Sequence, residues 1–568
     1  MRLEPHHEAP ALASLDRVHA PELDSKQSPP VTDAQWARLL TYGTPQDVAA
    51  GDYVFHAGDR NYDLILVESG EVEVVRDSLG WFDELVIATM GPRMFVGELG
   101  LLNGQGAFLS ARVTQPGRVY RVTRSALRRL MAEDDDLCDL ILHALWERRE
   151  ALRKGPAAFT LKLIGLKSSR DFLYLRRFAE RLDLVHTATE IKPGQFGEFT
   201  HHQAFTEDDL PIAFIQGEPM KNATPGTVAE RLGLSYEGDA DEIVDLVVVG
   251  GGPAGLAAAI YGASEGLSTV LLDSVAPGGQ AAATSRIENF LGFPFGVSGG
   301  SLIGQASLQA LKFGVRVYAP CEAVNLQTRG DILDVTLTDG RVIRARSAIV
   351  TSGAAYRTLD LDRWEDFEGA GIFYAATPLE LRQVAGSPVV VVGGANSAGQ
   401  ASLYLAANGC RVRLVVRGGD LRSRMSSYLV DRLLEDPLVE VHTHARVTGL
   451  AGGRSLERVT IDSVGDVDAR GLFCFIGADP ATTWLPSLDR DDDGFLRTGT
   501  DVGVQTLEQW QNLGREPLPF ETSIPRVFAA GDVRRGSMKR VAAAVGEGSS
   551  AVASVHRALA AVGEGITS

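Results

Sequence analysis

Three glycines at fixed spacing, Gly250, Gly252 and Gly255, separate an apolar run from an alanine-rich one in VDLVVVGGGPAGLAAAIYGASEGLSTVLLD (244–273), which closes on Asp273. A glycine turn between a strand and a helix brings bare backbone against a pyrophosphate. Gly250 permits the tight turn, Gly252 the close approach, and Gly255 the packing of helix on strand. The helix opening at Pro253-Ala254 then offers free N–H groups and a positive dipole end to phosphates. Asp273, at the end of the next strand, can accept hydrogen bonds from a ribose. The chemistry is that of dinucleotide binding.

A second such unit follows in PVVVVGGANSAGQASLYLAANGCRVRLVVRGGDLRSR (388–424). Gly393 matches Gly250, and Asn396, Ser397 and Ala398 open its helix. The position matching Asp273 is Val416, so the ribose acid is replaced and Arg417, Arg422 and Arg424 follow. Arginine pairs with a 2′-phosphate that an acid would repel, so NADPH is expected over NADH, with a solvated surface cluster as the other reading of the arginines. Ala395 stands where the first unit has Gly252, and its methyl crowds the place of the pyrophosphate. A weakened nicotinamide site is the competing expectation.

The elements that must position these residues belong to a multidomain chain. Its 568 residues predict several domains, each with its own core. Net charge is −18, which disfavours nucleic acid and anionic membranes as partners. No apolar run is long enough to span a membrane, and residues 1–30 lack an apolar core of signal-peptide type, so the chain is expected in the cytoplasm. Cys138, Cys321, Cys410 and Cys474 are scattered, with no CxxC and no metal-like spacing, and buried structural thiols are expected of the last three. His201-His202 reads as polar surface, and no metal is expected.

The expected boundaries are a loose arm (1–30), a β-rich barrel or jelly roll with a trailing helical stretch (31–155), a small α/β unit (156–236), an acidic linker EGDADE (237–242), and two Rossmann-like α/β units. The barrel reads as short alternating strands, and SALRRLMAEDDDLCDLILHALWERREALRK as helix ended by Gly155-Pro156. In the small unit, FTLKLIGL and LPIAFIQGEP read as strands. SSRDFLYLRRFAERLDL reads as a helix capped by Ser168 or Ser169, and TPGTVAERLGL as a capped helix.

Beyond the glycine loops, the C-terminal half carries PGGQ (277–280), IENFLGFP (287–294), TSGAAYR (351–357) and FAAGDVRRGSMKRVAAAVGEG (528–548). With these it resembles the thioredoxin reductase family of flavoproteins. The resemblance implies an FAD domain in two pieces, 243–357 and 473–562, with an NAD(P)H-binding domain inserted at 358–472, and a homodimer. It assigns FAD contacts to Gly279, Gln280, Asn289 and Asp532, and the backbone N–H of Val541 to the flavin pyrimidine edge. The family's CATC dithiol aligns with Ala375-Ala376-Thr377-Pro378, so both cysteines are replaced. Alanine and proline cannot form a mixed disulfide. No catalytic residue is therefore assigned. Phe373 or Tyr374 is a candidate screen for the flavin face, with core packing as the plainer role.

Residues 34–150 resemble cyclic-nucleotide-binding domains. FVGELGLLNGQGAFLSARV (95–113) resembles their phosphate-binding cassette, with Gly97-Glu98 in place and Ala107 where the family has its phosphate arginine. A cyclic nucleotide is thus disfavoured, and a structural or protein-docking domain, or one with an altered ligand, is expected instead. Residues 159–236 weakly resemble a degenerate thioredoxin or glutaredoxin fold, with Pro211 at its cis-proline position and Leu166-Lys167-Ser168-Ser169 in place of a cysteine-bearing loop. The expectation is an FAD-dependent NAD(P)H oxidoreductase without a dithiol. Its acceptor is open among a carrier protein, a quinone, oxygen or another small molecule. The competing expectations are a disulfide reductase using another thiol, and a flavin-binding sensor with little turnover.

Overall fold

The computed structural model describes residues 27–564 apart from 79–82, 155–159, 167–168, 183, 192–204, 237, 239–241, 284–286, 288–289, 369–370, 375, 377, 454, 504–509 and 512. The histidine pair 201–202, Asn289, and Gly155-Pro156 lie outside the described residues. Backbone contacts divide the chain into two compact units. One comprises Met1–Gly251, Ala259–Pro277 and Gly304–Arg346, the other Gly252–Ala258, Gly278–Ile303 and Ser347–Ser568.

The first unit begins with a six-stranded antiparallel sheet. Thr44–Val48, Ser110–Val122, Leu64–Arg76 and Leu85–Met90 follow one another across it; Tyr53–Phe55 adds to the second and Phe95–Val96 to the third. Two of these strands run for thirteen residues, longer than the glycine punctuation suggested, because bulges let them bend rather than end. Gly117 sits at such a bend. A Cβ there would lie 2.0 Å from the carbonyl oxygen of Ser69, so only glycine fits. Leu64–Val67, Val119 and Val122 are buried in the sheet's core.

The helical stretch is two helices, Arg124–Glu133 and Asp135–Lys154. They break at Asp134, whose backbone is extended and whose carboxylate caps the second helix by accepting the Leu137 N–H. The small α/β part has four strands in the order Glu218–Met220, Ile212–Ile215, Leu161–Leu166, Thr187–Ile191, the last pair parallel. Ser169 caps the helix Arg170–Arg181, and Thr224 with Thr227 forms a capping box for Pro225–Leu232. The Leu210–Pro211 peptide is cis. Phe108 and Leu109, from the stretch 95–113, pack in this core with Leu161, Phe172 and Val228.

The third sheet runs in the order Arg316–Tyr318, Thr269–Leu272, Ile243–Val249, Val342–Val350, Ile332–Leu337, Ala323–Arg329. Its first two pairings are parallel and the outer hairpin is antiparallel. In the second unit Ala348–Val350 pair in parallel with Val527–Ala529. That unit also holds a five-stranded parallel sheet in the order Ile372–Phe373, Gly471–Cys474, Pro388–Val392, Arg411–Val416, Val439–Thr443. Parallel strands covered by helices read as unbroken valine runs, as Val389–Val392 do. Among the described residues no helix is long and apolar enough to cross a membrane, and no cluster of histidine, cysteine or acid could hold a metal.

Candidate functional site

In the first unit the strand Ile243–Val249 ends in Gly250, whose φ of +111° needs glycine. The Gly251 N–H then donates to Asp273 Oδ2 at 2.8 Å. Asp273 Oδ1 accepts the N–H groups of Val275 and Ala276, both at 2.9 Å. Three backbone donors therefore fix the carboxylate while leaving lone pairs for a further donor. Burial raises the Asp273 pKa, and the three N–H groups oppose that rise.

In the second unit a Cβ added at Gly252 would meet nothing within 4 Å, so the loop presents open backbone there. Pro253 starts the helix Pro253–Ser264, and Ala254 and Gly255 are buried within it. Gly279 of PGGQ has φ +52°, and its Cβ would come 3.2 Å from the Gly252 Cα, bringing two glycine loops together. The Gln280 side chain donates to the Ala354 carbonyl and so ties PGGQ to the strand Ala354–Tyr356.

The stretch 528–548 closes on the same helix. A Cβ at Gly548 would lie 2.1 Å from the Ala254 carbonyl oxygen. The Glu547 carboxylate accepts the Gly531 N–H at 2.7 Å and a bidentate pair of bonds from Arg534 at 2.8 Å. That clamp holds the turn bearing Asp532, which is half-buried. Burial raises the Asp532 pKa, nearby Lys539 lowers it, and Glu547 raises it. Val541 is the first residue of the 24-residue helix Val541–Glu564, where N–H groups lack intrahelical partners and the dipole is positive.

The second glycine turn is as constrained as the first. Gly393 has φ +147°, and a Cβ there would lie 2.5 Å from the Phe475 carbonyl oxygen. Ala395 is exposed and caps the helix Asn396–Ala407 at φ −110°, a conformation any residue adopts, so its methyl group strains nothing locally. Asn396 Oδ1 accepts the Ser426 N–H at 2.8 Å, fastening the arginine-bearing loop to the glycine turn. Ser397 is exposed and Ala398 buried. The arginines divide. Arg422 is bound by Asp431 at 2.6 Å, whereas Arg417 and Arg424 are exposed and form no ion pair among the described residues.

Of the segment 375–378, Ala375 and Thr377 lie outside the described residues, and Pro378 opens the helix Pro378–Val384. Phe373 is core, tilted against Phe473 at 5.1 Å. Tyr374 is different: its ring stacks on Tyr356 at 4.7 Å and 9°, and its hydroxyl donates to Glu368 Oε1 at 2.7 Å while accepting the Trp364 indole N–H at 3.2 Å. Lys539 lies over the other ring of the stack, 5.7 Å from the Tyr356 centroid. This stack was not readable from sequence, because Tyr356 ends one strand, Ala354–Tyr356, and Tyr374 follows another, Ile372–Phe373. All four cysteines are free. Cys138, Cys410 and Cys474 are buried, while Cys321 is only half-buried, a departure from the burial expected of it. Burial pushes the Cys321 and Cys474 thiols up to about 12.

The sequence signature of the pyridine nucleotide-disulphide oxidoreductase family matches residues 244–548, more than half of the chain. The chain belongs to that family. Within it the protein is a thioredoxin reductase-like oxidoreductase. It is 31% identical to the thioredoxin reductase of Streptomyces clavuligerus, over 56% of this chain and 94% of that protein. It is 32% identical to the NADPH-dependent thioredoxin reductase 3 of Arabidopsis thaliana, over 56% of this chain and 58% of that one. A thioredoxin reductase structure from Streptococcus pyogenes aligns over 56% of this chain and 99% of its own, at 28% identity and TM-score 0.49. Residues 45–134 match the cyclic nucleotide-binding domain.

The family implies FAD and a nicotinamide nucleotide. The residues of this oxidoreductase fit both: open backbone at Gly252, a backbone-fixed acid at Asp273, a half-buried carboxylate at Asp532, and exposed cations at Arg417 and Arg424. In the N-terminal domain, Glu98 is already engaged. Its Oε2 accepts Arg149 Nη2 at 2.6 Å, and its Oε1 accepts the Tyr62 hydroxyl and the Gly100 N–H, both at 2.9 Å. Arg149 is fully buried and also lies over the Phe108 ring.

Proposed function

We propose that this oxidoreductase carries electrons from NADPH through FAD to an acceptor outside the chain, with no internal dithiol. Bound FAD supplies the two-electron chemistry. Asp273 holds the adenosine ribose, and the Gly250–Gly252 turn lets backbone meet the pyrophosphate. Asp532, positioned by the Glu547 clamp, takes the ribityl or pyrophosphate region. Val541 points a helix N-terminus at the flavin pyrimidine edge and stabilises negative charge there. The turn at Gly393 seats the nicotinamide nucleotide, and Arg417 and Arg424 select its 2′-phosphate.

The observation that carries the proposal is the state of the sulfur. No two cysteines are neighbours in sequence. Each of the four is free, and burial raises the pKa of every thiol, so none is a ready thiolate. At the position matching the family's dithiol stand Ala375 and Pro378. Tyr374, the residue before that segment, stacks on Tyr356. The same reading makes residues 159–236 a thioredoxin-like domain without redox function. It makes the N-terminal domain one whose ligand acid is answered internally by Arg149 rather than by a cyclic nucleotide. Anaerobic stopped-flow mixing with NADPH tests it. The flavin band should bleach within seconds, and adding thioredoxin and insulin should give no sustained turnover. A flavin that stays oxidised would instead make the protein a sensor.

A further inference from the structure

The first unit contains a cavity rich in arginine. A cavity of about 310 Å³ is lined by Arg60, Arg124, Arg128 and Arg316, and by Tyr236 and Tyr318. Glu242 is the one acid described in its lining, and it is taken: both its oxygens accept Arg316 Nη1, at 2.7 and 2.8 Å. Arg60 Nη2 donates to the Glu230 carbonyl at 2.8 Å. Arg124 Nη2 donates to the Arg60 carbonyl at 2.9 Å, but its Nε is buried with no hydrogen-bond partner. Arg128 has no hydrogen bond or ion pair among the described residues. Its pKa is lowered first by burial and then by the neighbouring Arg124 and Arg316. Two guanidiniums, Arg124 half-buried and Arg128 exposed, thus face one cavity with no carboxylate between them among the described residues, and their mutual repulsion favours an anion there.

Glycines belong to its lining. Gly104 and Gly233 end two helices in left-handed conformations, at φ +83° and +74°. A Cβ at Gly104 would reach contact with Arg124 Nη1 at 3.4 Å. Tyr236 and Tyr318 meet edge to face at 5.1 Å and form an aromatic wall. Tyr318 lies on the strand next to the one that leads to Asp273, and its carbonyl accepts the Asp273 N–H at 3.1 Å.

We propose that this cavity binds a phosphate-bearing small molecule of about mononucleotide size, its phosphate gripped by Arg124 and Arg128. Planar guanidiniums pair with phosphate oxygens through parallel charge-assisted bonds, and the volume lies at the lower end of the range for small-molecule pockets. Within the stretch 95–113 the cavity meets Leu102, Asn103 and Gly104, not Glu98, which Arg149 already answers, nor Phe108 and Leu109, which are spent in a core.

Calorimetric titration of the FAD-loaded full chain with AMP, inorganic phosphate and adenosine tests the proposal. AMP should bind saturably and adenosine at least about tenfold more weakly, with phosphate competing. Arg128→Ala, a change on an exposed helix position, should weaken AMP about tenfold or more, and Arg128→Lys should recover part of the loss. Saturating NADP+ should leave this binding intact, which separates it from AMP at the nicotinamide site. No saturable heat would overturn the proposal, as would binding that Arg128→Ala leaves unchanged or that NADP+ displaces. The first of these is the result expected if Glu237, Asp239 and Asp241, outside the described residues, answer the arginines instead. The readout is heat of binding, so it stands or falls independently of turnover.

Discussion

Replacing Arg417 by alanine should convert a preference for NADPH into near indifference. Arg417 follows directly on Val416, where the first glycine unit carries Asp273, and it is exposed with no ion pair of its own. A charge-assisted hydrogen bond to a phosphate is worth about 1.5–3 kcal/mol, and exposure places this one at the low end. Losing about 1.5 kcal/mol weakens NADPH about tenfold and leaves NADH unchanged. Arg422→Ala provides the internal contrast. Its guanidinium is held by Asp431 at 2.6 Å, so it gives less to a ligand and its removal should cost no more than about threefold. The assay is anaerobic stopped-flow flavin reduction over a range of each nucleotide, comparing apparent Kd for NADPH and NADH in both variants. Equal effects of Arg417→Ala on the two nucleotides would refute the reasoning, as would a larger selective effect from Arg422→Ala.

Three further outcomes follow from the geometry. Arg149→Met leaves Glu98 without its cation. Breaking a buried pair costs about 3–5 kcal/mol, and the low end applies because Tyr62 and the Gly100 N–H still hold Glu98 Oε1. Chemical denaturation followed by far-ultraviolet circular dichroism should show an early N-terminal transition, partly restored in the double variant Glu98→Gln/Arg149→Met. Gly548→Ala places a methyl group 2.1 Å from the Ala254 carbonyl and should lose FAD on gel filtration. Gly546→Ala, whose Cβ meets nothing within 4 Å, should retain FAD and gain about 0.5–1 kcal/mol of helix stability. Cys321 and Cys474, pushed up to about 12, are thiols rather than thiolates at pH 8. Native protein treated with iodoacetamide at that pH should therefore show little modification of either by mass spectrometry.

The nucleotide-binding half was legible because its signals are local. Glycines at Gly250 and Gly393 are demanded by positive φ, and the valine runs before them by burial on both faces. What escaped reading depends on residues distant in the chain. Thr187–Ile191 is a short, half-polar strand that exists because Leu161–Leu166 offers it a parallel edge. Glu98 reads as a ligand-binding acid until Arg149, 51 residues on, is seen to fill it. The break at Asp134 hides inside an acidic run, DDD with a glutamate before it, that helices tolerate at their first turns. The glycine pair Gly252 and Gly279 was readable as two motifs but not as one close approach.

The central claim is that no disulfide in this chain shares the electrons with flavin. Anaerobic titration of the FAD-loaded protein with NADPH measures it directly, with free thiols counted before and after under denaturing conditions. The account predicts complete bleaching at about one NADPH per FAD and an unchanged thiol count, since the flavin alone takes two electrons. Uptake of about two NADPH per FAD, with two thiols gained, would contradict it.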